Sequence, residues 1–298
     1  MFKQLEPKIY VRLTGQLGNQ LFCYACGRIL SLKLGWPLVL DKSPYSFDNM
    51  GRIFLLDQYN INADKISEKP IKPGRAIWPF REKIVRFREP KLSDLTDEQY
   101  KEGHSLTPLS NEVLDATFDC SVILTGFWQS EGYFKDYEEL IKKELTPKLS
   151  IPQKTLDEVQ KIVPERSVCL GFRRWHEFAK GKHSHHSLSE DYYTRAIELI
   201  SQQIENPIFH ILCTSEDKEW VEKNIPGSEN FHWVTHYPRN EEAYINLWLM
   251  THFKNFIIAN STYHWWGAWL SHQEDKKIIS PKLGWTSMSP QIEGSIVI

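Results

Sequence analysis

The chain has 298 residues, 41% of them hydrophobic and 25% charged, with 36 Lys and Arg against 38 Asp and Glu for a formal net charge of -2. That is the composition of a globular protein of one large domain or two, neither Pro-rich nor Gly-rich, and its near-neutral balance offers nucleic acid no basic surface. The polar stretch Met1–Lys8 has no signal-peptide character and no apolar run approaches the roughly 20 residues that span a bilayer, so a cytoplasmic or peripheral protein is expected.

Lys8–Thr14 reads as a first strand, followed after Gly18 by a helix carrying Leu21, Phe22, Ala25, Ile29 and Leu32 at helical spacing. Pro37–Asp41 is a second strand, residues 42–115 are polar and irregular, and Ser121–Thr125 is a third strand. Gly126 then opens a helix expected to run to about Glu144. The breaker-rich Thr146-Pro-Lys-Leu-Ser-Ile-Pro152 is the expected boundary between domains 1–150 and 151–298. Beyond it, strands at Ser167–Phe172, Ile208–Cys213, Phe231–Thr235, Phe256–Ala259 and Lys277–Ser280 alternate with helices at Glu190–Gln203, Glu216–Asn224, Glu241–Phe253 and Thr262–His272. This alternation predicts an α/β protein whose C-terminal part is a doubly wound parallel sheet, with ligands bound outside the carboxyl ends of its strands. The five cysteines have no framework spacing and are expected as reduced thiols; Cys23 and Cys26, three apart on one helix, are expected in the core rather than on zinc.

The residues that follow each strand therefore carry the chemistry. Gly15-Gln-Leu-Gly-Asn-Gln20 is a glycine turn opening a helix, suited to an anionic or hydroxyl-rich ligand, and equally to a plain strand-to-helix turn. Ser167–Phe172 ends in Arg173-Arg174, a pair whose guanidinium groups match pyrophosphate oxygens, although one of them could pair internally. Phe256–Ala259 runs into Asn260-Ser261-Thr262, which are ordinary helix caps and also ready phosphate ligands. No Asp-x-Asp follows a strand, Ser215-Glu-Asp217 being the nearest approach, so protein cations rather than a metal are expected to neutralise a departing diphosphate. His183, His185 and His186 are not spaced as a zinc site.

Three blocks, Gly15-Gln-Leu-Gly-Asn-Gln-Leu-Phe22, Gly126-Phe-Trp-Gln-Ser-Glu-Gly-Tyr-Phe134 and Phe256-Ile-Ile-Ala-Asn-Ser-Thr-Tyr-His-Trp-Trp-Gly-Ala-Trp-Leu270, strongly resemble the bacterial α-1,2-fucosyltransferases of glycosyltransferase family 11. Glu241–Met250 and Ile279–Lys282 also match, and the resemblance runs from about residue 8 to 285, weakest over 42–115. It implies a GT-B-like fold of two Rossmann-like domains facing a cleft, with acceptor contacts in the first and nucleotide in the second. It further implies GDP-β-L-fucose as donor, no cofactor, inversion at the transferred sugar and no metal. Carried over, it assigns the phosphate contact to Arg173 and places Asn19 near the reacting centre, while Gly15, Gln16, Gly18, Arg174, Asn260, Ser261 and Thr262 are donor-binding candidates from their places after the strands.

The chain departs from the family in one motif. The usual His-x-Arg-Arg-x-Asp is here Gly171-Phe-Arg-Arg-Trp-His176, which puts guanine selection in doubt and makes His176, with Glu177 beside it, the candidate base for the acceptor hydroxyl. Two other readings stay open: a GDP-sugar transferase using another sugar, and a non-catalytic glycan binder whose tryptophans stack on sugars. Trp265, Trp266 and Trp269 nevertheless have core-like spacing. Arg75–Arg88 interleaves basic and apolar residues; from Pro79 it reads as a short amphipathic helix, either core-facing or docking weakly on the inner face of a membrane near a lipid-linked acceptor.

Overall fold

The structure, a computed structural model, describes residues 6–48, 51–74, 82–89, 111–173, 187–213, 215–234, 240–282 and 291–298. It divides into two compact units, Met1–Lys148 and Leu149–Ile298.

In the first unit five strands, β1 (Ile9–Arg12), β2 (Leu38–Asp41), β3 (Lys65–Ser67), β4 (Ile84–Arg88) and β5 (Ser121–Thr125), form one parallel sheet in the order β3-β2-β1-β5-β4. The central strands are short continuous apolar runs because a parallel sheet is covered on both faces; Ile9, Val11, Leu38, Leu40, Val122, Ile123 and Leu124 are all buried. Helix α1 (Leu17–Leu34), whose sole β-branched residue is Ile29, packs along β1 and buries Phe22, Ala25 and Ile29, while Leu32 faces out. Arg28 of α1 and Glu144 of α3 (Glu138–Glu144) form a buried ion pair at 2.9 Å that also takes the Tyr24 hydroxyl. The charges are tolerated there because each is bonded more than once.

Three expectations change in this unit. Residues 42–115 are not wholly irregular, since β3 and β4 complete the sheet, and α2 (Asn111–Asp115) precedes β5. The amphipathic helix expected from Pro79 is, over its described part, strand β4: Ile84 to Arg88 pair in parallel with Ser121 to Thr125, and alternating packing prevails over the helical pattern; residues 75–81 lie outside the described residues. The long helix after Gly126 is instead an extended loop and two 3-10 turns, Glu131–Tyr133 and Lys135–Tyr137, before the seven residues of α3.

The second unit is a six-stranded parallel sheet, β6 (Ser167–Gly171), β7 (Ile208–Leu212), β8 (His232–Trp233), β9 (Asn255–Ile257), β10 (Lys277–Ser280) and β11 (Ile296–Val297), in the order β11-β10-β9-β6-β7-β8. Its helices are α4 (Gln153–Val159), α5 (Glu190–Ser201), α6 (Ser215–Asn224), α7 (Ala243–Met250) and α8 (Thr262–Trp269). Ser189 caps α5 by accepting the Tyr192 N–H, with Glu190 and Asp191 in the first turn. Neither α4 nor β11 was expected from the sequence, and α7 and α8 are shorter than the periodicity implied. Trp265, Trp266 and Trp269 are buried against one another, with ring centroids 5.0–6.0 Å apart. They are core, not a sugar platform. All five cysteines are buried free thiols.

Each sheet has one place where the chain reverses its direction of winding: between β1 and β5 in the first, and between β6 and β9 in the second. Those carboxyl edges are where an open parallel sheet receives ligands. None of the described helices is long and apolar enough to cross a membrane.

Candidate functional site

At the edge of the second unit, β6 ends in Gly171 and is pinned by Phe172. The Phe172 N–H donates to the Leu212 carbonyl at 3.0 Å, and its ring lies 4.5 Å from Tyr193 and 5.4 Å from Trp220. Arg173, the next residue, leaves the core half-buried. On the neighbouring strand, β9 pairs with β6 from Val168↔Asn255 to Leu170↔Ile257, and both chains run out at the same edge. The exit of β9 is braced by the Tyr192 hydroxyl on the Ile258 carbonyl at 2.6 Å. Asn260 is buried, Ser261 sits extended in the N-cap position, and α8 starts at Thr262. Ser261 makes no side-chain capping bond, and helix geometry points the first-turn N–H groups at the same edge. A guanidinium at one strand end, facing a helix N-terminus that follows the next strand, makes an anion-binding edge. Arg173, Asn260, Ser261 and Thr262 are thus brought to one place; Arg174, His176, Glu177 and the histidines at 183, 185 and 186 lie outside the described residues.

One residue of this edge escaped the sequence reading. His264, in the first turn of α8, lies directly over Gly171: a Cβ built there would meet the imidazole Cγ at 2.6 Å and Nδ1 at 2.7 Å. Burial, reinforced by the positive charge of Arg173, pushes the His264 pKa down to about 3, so the ring is neutral at ordinary pH. The motif departure at Gly171 was the available signal, but nothing in the chain order says which side chain fills the space.

At the edge of the first unit, the turn after β1 meets the segment after β5. Gly15 has a φ of +75° and leaves no room for a Cβ beside the Asn19 side chain. Its carbonyl accepts the Tyr45 hydroxyl at 2.9 Å, and the Gln16 carbonyl accepts the N–H groups of Asn19 and Gln20. The Gln20 carboxamide donates to the Ile53 carbonyl and accepts the Leu55 N–H, tying the turn to the next loop. Gly15 and Gln16 therefore build the turn that leads into Asn19, and Gly18 lies in the first turn of α1. Gln129, which the sequence reading did not single out, donates from Nε2 to Asn19 Oδ1 at 2.8 Å and so fixes the orientation of that carboxamide. Trp128, fully buried, holds a φ of +56° that non-glycine residues rarely adopt. The loop is clamped by Glu89, whose Oε2 accepts the Phe127 N–H at 2.6 Å. Burial raises the Glu89 pKa, with the loop N–H groups of Trp128, Phe127 and Gln129 opposing.

The family model for glycosyl transferase family 11 matches residues 8–289. The chain belongs to glycosyltransferase family 11. Among its relatives, an alpha-1,2-colitosyltransferase of Escherichia coli is 28% identical over 280 residues, covering 92% of this chain and 91% of the relative. The O-antigen biosynthesis glycosyltransferase WbnK of Escherichia coli is 30% identical over 293 residues, covering 92% and 94%. Among solved structures, the NodZ alpha-1,6-fucosyltransferase soaked with GDP-fucose, a protein from Bradyrhizobium, superposes with a TM-score of 0.52 at 14% identity, covering 89% of this chain and 93% of that one. At that identity the likeness concerns the fold, which is GT-B-like: α/β with two parallel-sheet domains.

Proposed function

We propose that this glycosyltransferase moves L-fucose from GDP-β-L-fucose, with inversion, to a hydroxyl of a glycan acceptor, O-2 of a galactoside, in the assembly of an O-antigen or other surface polysaccharide. The observation that carries it is the anion-binding edge of the second unit, Arg173 at the end of β6 and Ser261 with the first turn of α8 after β9. A departing nucleoside diphosphate gathers negative charge as the glycosidic bond breaks, and preorganised donors aimed at that charge lower the barrier. Arg173 supplies the bidentate contact and Arg174 assists. Neither needs a metal to neutralise the diphosphate. His176, or Glu177 beside it, accepts the proton of the attacking hydroxyl. Asn19 orients the reacting sugar, its carboxamide fixed by Gln129. The membrane-docking helix has no place in this reading, since its described part is a sheet strand.

A second reading changes only the donor sugar. The Escherichia coli relative named as a colitosyltransferase favours it, because colitose is fucose without its 3-hydroxyl and a single lost contact would convert one donor into the other. The test is release of GDP and product mass with GDP-fucose, GDP-colitose and GDP-mannose, against a panel of galactosides, with and without excess EDTA. Transfer from GDP-fucose that persists in EDTA supports the proposal. Transfer from GDP-colitose alone selects the second reading, and GDP binding without transfer to any acceptor removes both.

A further inference from the structure

We infer that His264 is a ligand-binding residue of this edge: its imidazole, seated over Gly171, donates its ring N–H to an oxygen of the nucleoside diphosphate received by Arg173 and the first turn of α8. The inference rests on the donor class proposed above and adds to it a residue that motif and spacing do not assign.

Four observations converge. His264 is only 3% exposed, yet among the described residues neither Nδ1 nor Nε2 has a hydrogen-bond partner. Other histidines of the same unit are satisfied: His210 bonds Ser167 at 3.0 Å, His232 bonds Glu158 at 2.7 Å and His252 bonds the Trp248 carbonyl at 3.1 Å. A buried polar group left unbonded is destabilising, and an apolar ring of similar size would fill the space without that penalty. Second, the ring occupies space that only a glycine at 171 leaves open, since any Cβ there would fall within 2.9 Å of three ring atoms. Glycine weakens a buried strand and marks close approach of another group, so the strand accepts a defect to admit this imidazole. Third, the residue stands in the first turn of α8, on the strand edge two residues from Arg173, and it feels the Arg173 charge. Fourth, the ring is neutral, with one N–H and one lone pair. It can therefore donate to a phosphate or ribose oxygen without repelling the guanidinium beside it.

A packing histidine and a ligand-binding one behave differently when the ring is kept and its nitrogens are removed. His264→Phe retains a planar ring over Gly171. Expected is a melting temperature equal to or above wild type, together with GDP binding weakened about tenfold to a hundredfold by calorimetry, the range for a lost hydrogen bond to a charged group. Unchanged GDP affinity in a folded His264→Phe variant overturns the inference. Should that variant fail to fold, the wild-type protein labelled with 15N in histidine gives the answer: saturation with GDP is expected to shift the His264 ring nitrogens, and unmoved resonances overturn it. Wild type is titrated in parallel with UDP, ADP and inorganic pyrophosphate. Binding of UDP or ADP but not GDP refutes the guanine donor and leaves His264→Phe to be judged with the nucleotide that binds. No binding of any of them refutes both.

Discussion

Arg173 owes its position to its neighbour. Phe172 is locked between Tyr193 and Trp220, which fixes the backbone from which Arg173 leaves the end of β6. A guanidinium so anchored loses little freedom on binding a phosphate, and its fork engages two oxygens at once. Arg173→Ala is therefore expected to lower kcat/KM by about 2–4 kcal/mol of transition-state stabilisation, roughly thirtyfold to a thousandfold, and to weaken GDP binding. Arg173→Lys should rescue little, because a point charge replaces the fork; near wild-type turnover in either variant removes Arg173 from the site. The proton acceptor belongs to the same scale. His176→Ala should depress kcat with little change in donor affinity and flatten the acid limb of the pH–rate profile. A profile identical to wild type would pass the role to Glu177 or elsewhere.

The segment after β5 shows how an element is held in a conformation that its own residues do not prefer. Trp128 keeps its left-handed backbone because Phe127 donates to Glu89 and the indole is enclosed by Phe87 and Tyr133, at centroid distances of 6.2 and 5.7 Å. Glu89→Ala should release the loop, losing about 1–3 kcal/mol for the donors left unsatisfied and freeing Gln129 from Asn19. Urea unfolding and the near-ultraviolet signal of Trp128 would report it, and stability within experimental error of wild type would show that the clamp is incidental. The sheets themselves were legible because parallel strands write themselves as apolar runs: β1, β2, β5, β6, β7 and β10 lie within or close to the expected spans. Two things were not. Strand β4 alternates basic and apolar residues at a sheet edge, where solvent on one side removes the continuous run, so a helical pattern fitted equally well. The contacts Gln129–Asn19 and His264–Gly171 join residues 110 and 93 positions apart, and no local rule of spacing contains such pairs.

Across the whole molecule, acid sensitivity is distributed unevenly, because ten of the 11 histidines follow residue 148. Burial, with the His232 charge adding to it, lowers the His210 pKa to about 4; burial and Arg173 lower His264 to about 3, and burial also lowers His252. The folded values lie below the ordinary histidine value near 6.5, so below that pH the unfolded chain binds protons that the folded one refuses. Stability is then full above about pH 6.5, falls as the pH drops towards about 4, and levels only once the folded sites also protonate. Each unit of depression corresponds to about 1.4 kcal/mol at the acid end of that window. Glu158, itself buried and held low by His232 and Lys161, adds a separate loss that begins as the pH falls through the ordinary carboxylate range, where the unfolded chain takes up the proton, and levels once the folded carboxylate is protonated too. With two compact units in the chain, calorimetry between pH 7.5 and 5 should resolve a transition that moves with pH, belonging to the C-terminal unit, from one that moves less. His210→Gln, which keeps a polar partner for Ser167 but cannot take up a proton, should flatten the moving transition. Equal pH slopes in wild type and His210→Gln would mean that this buried imidazole does not set the acid stability of its unit.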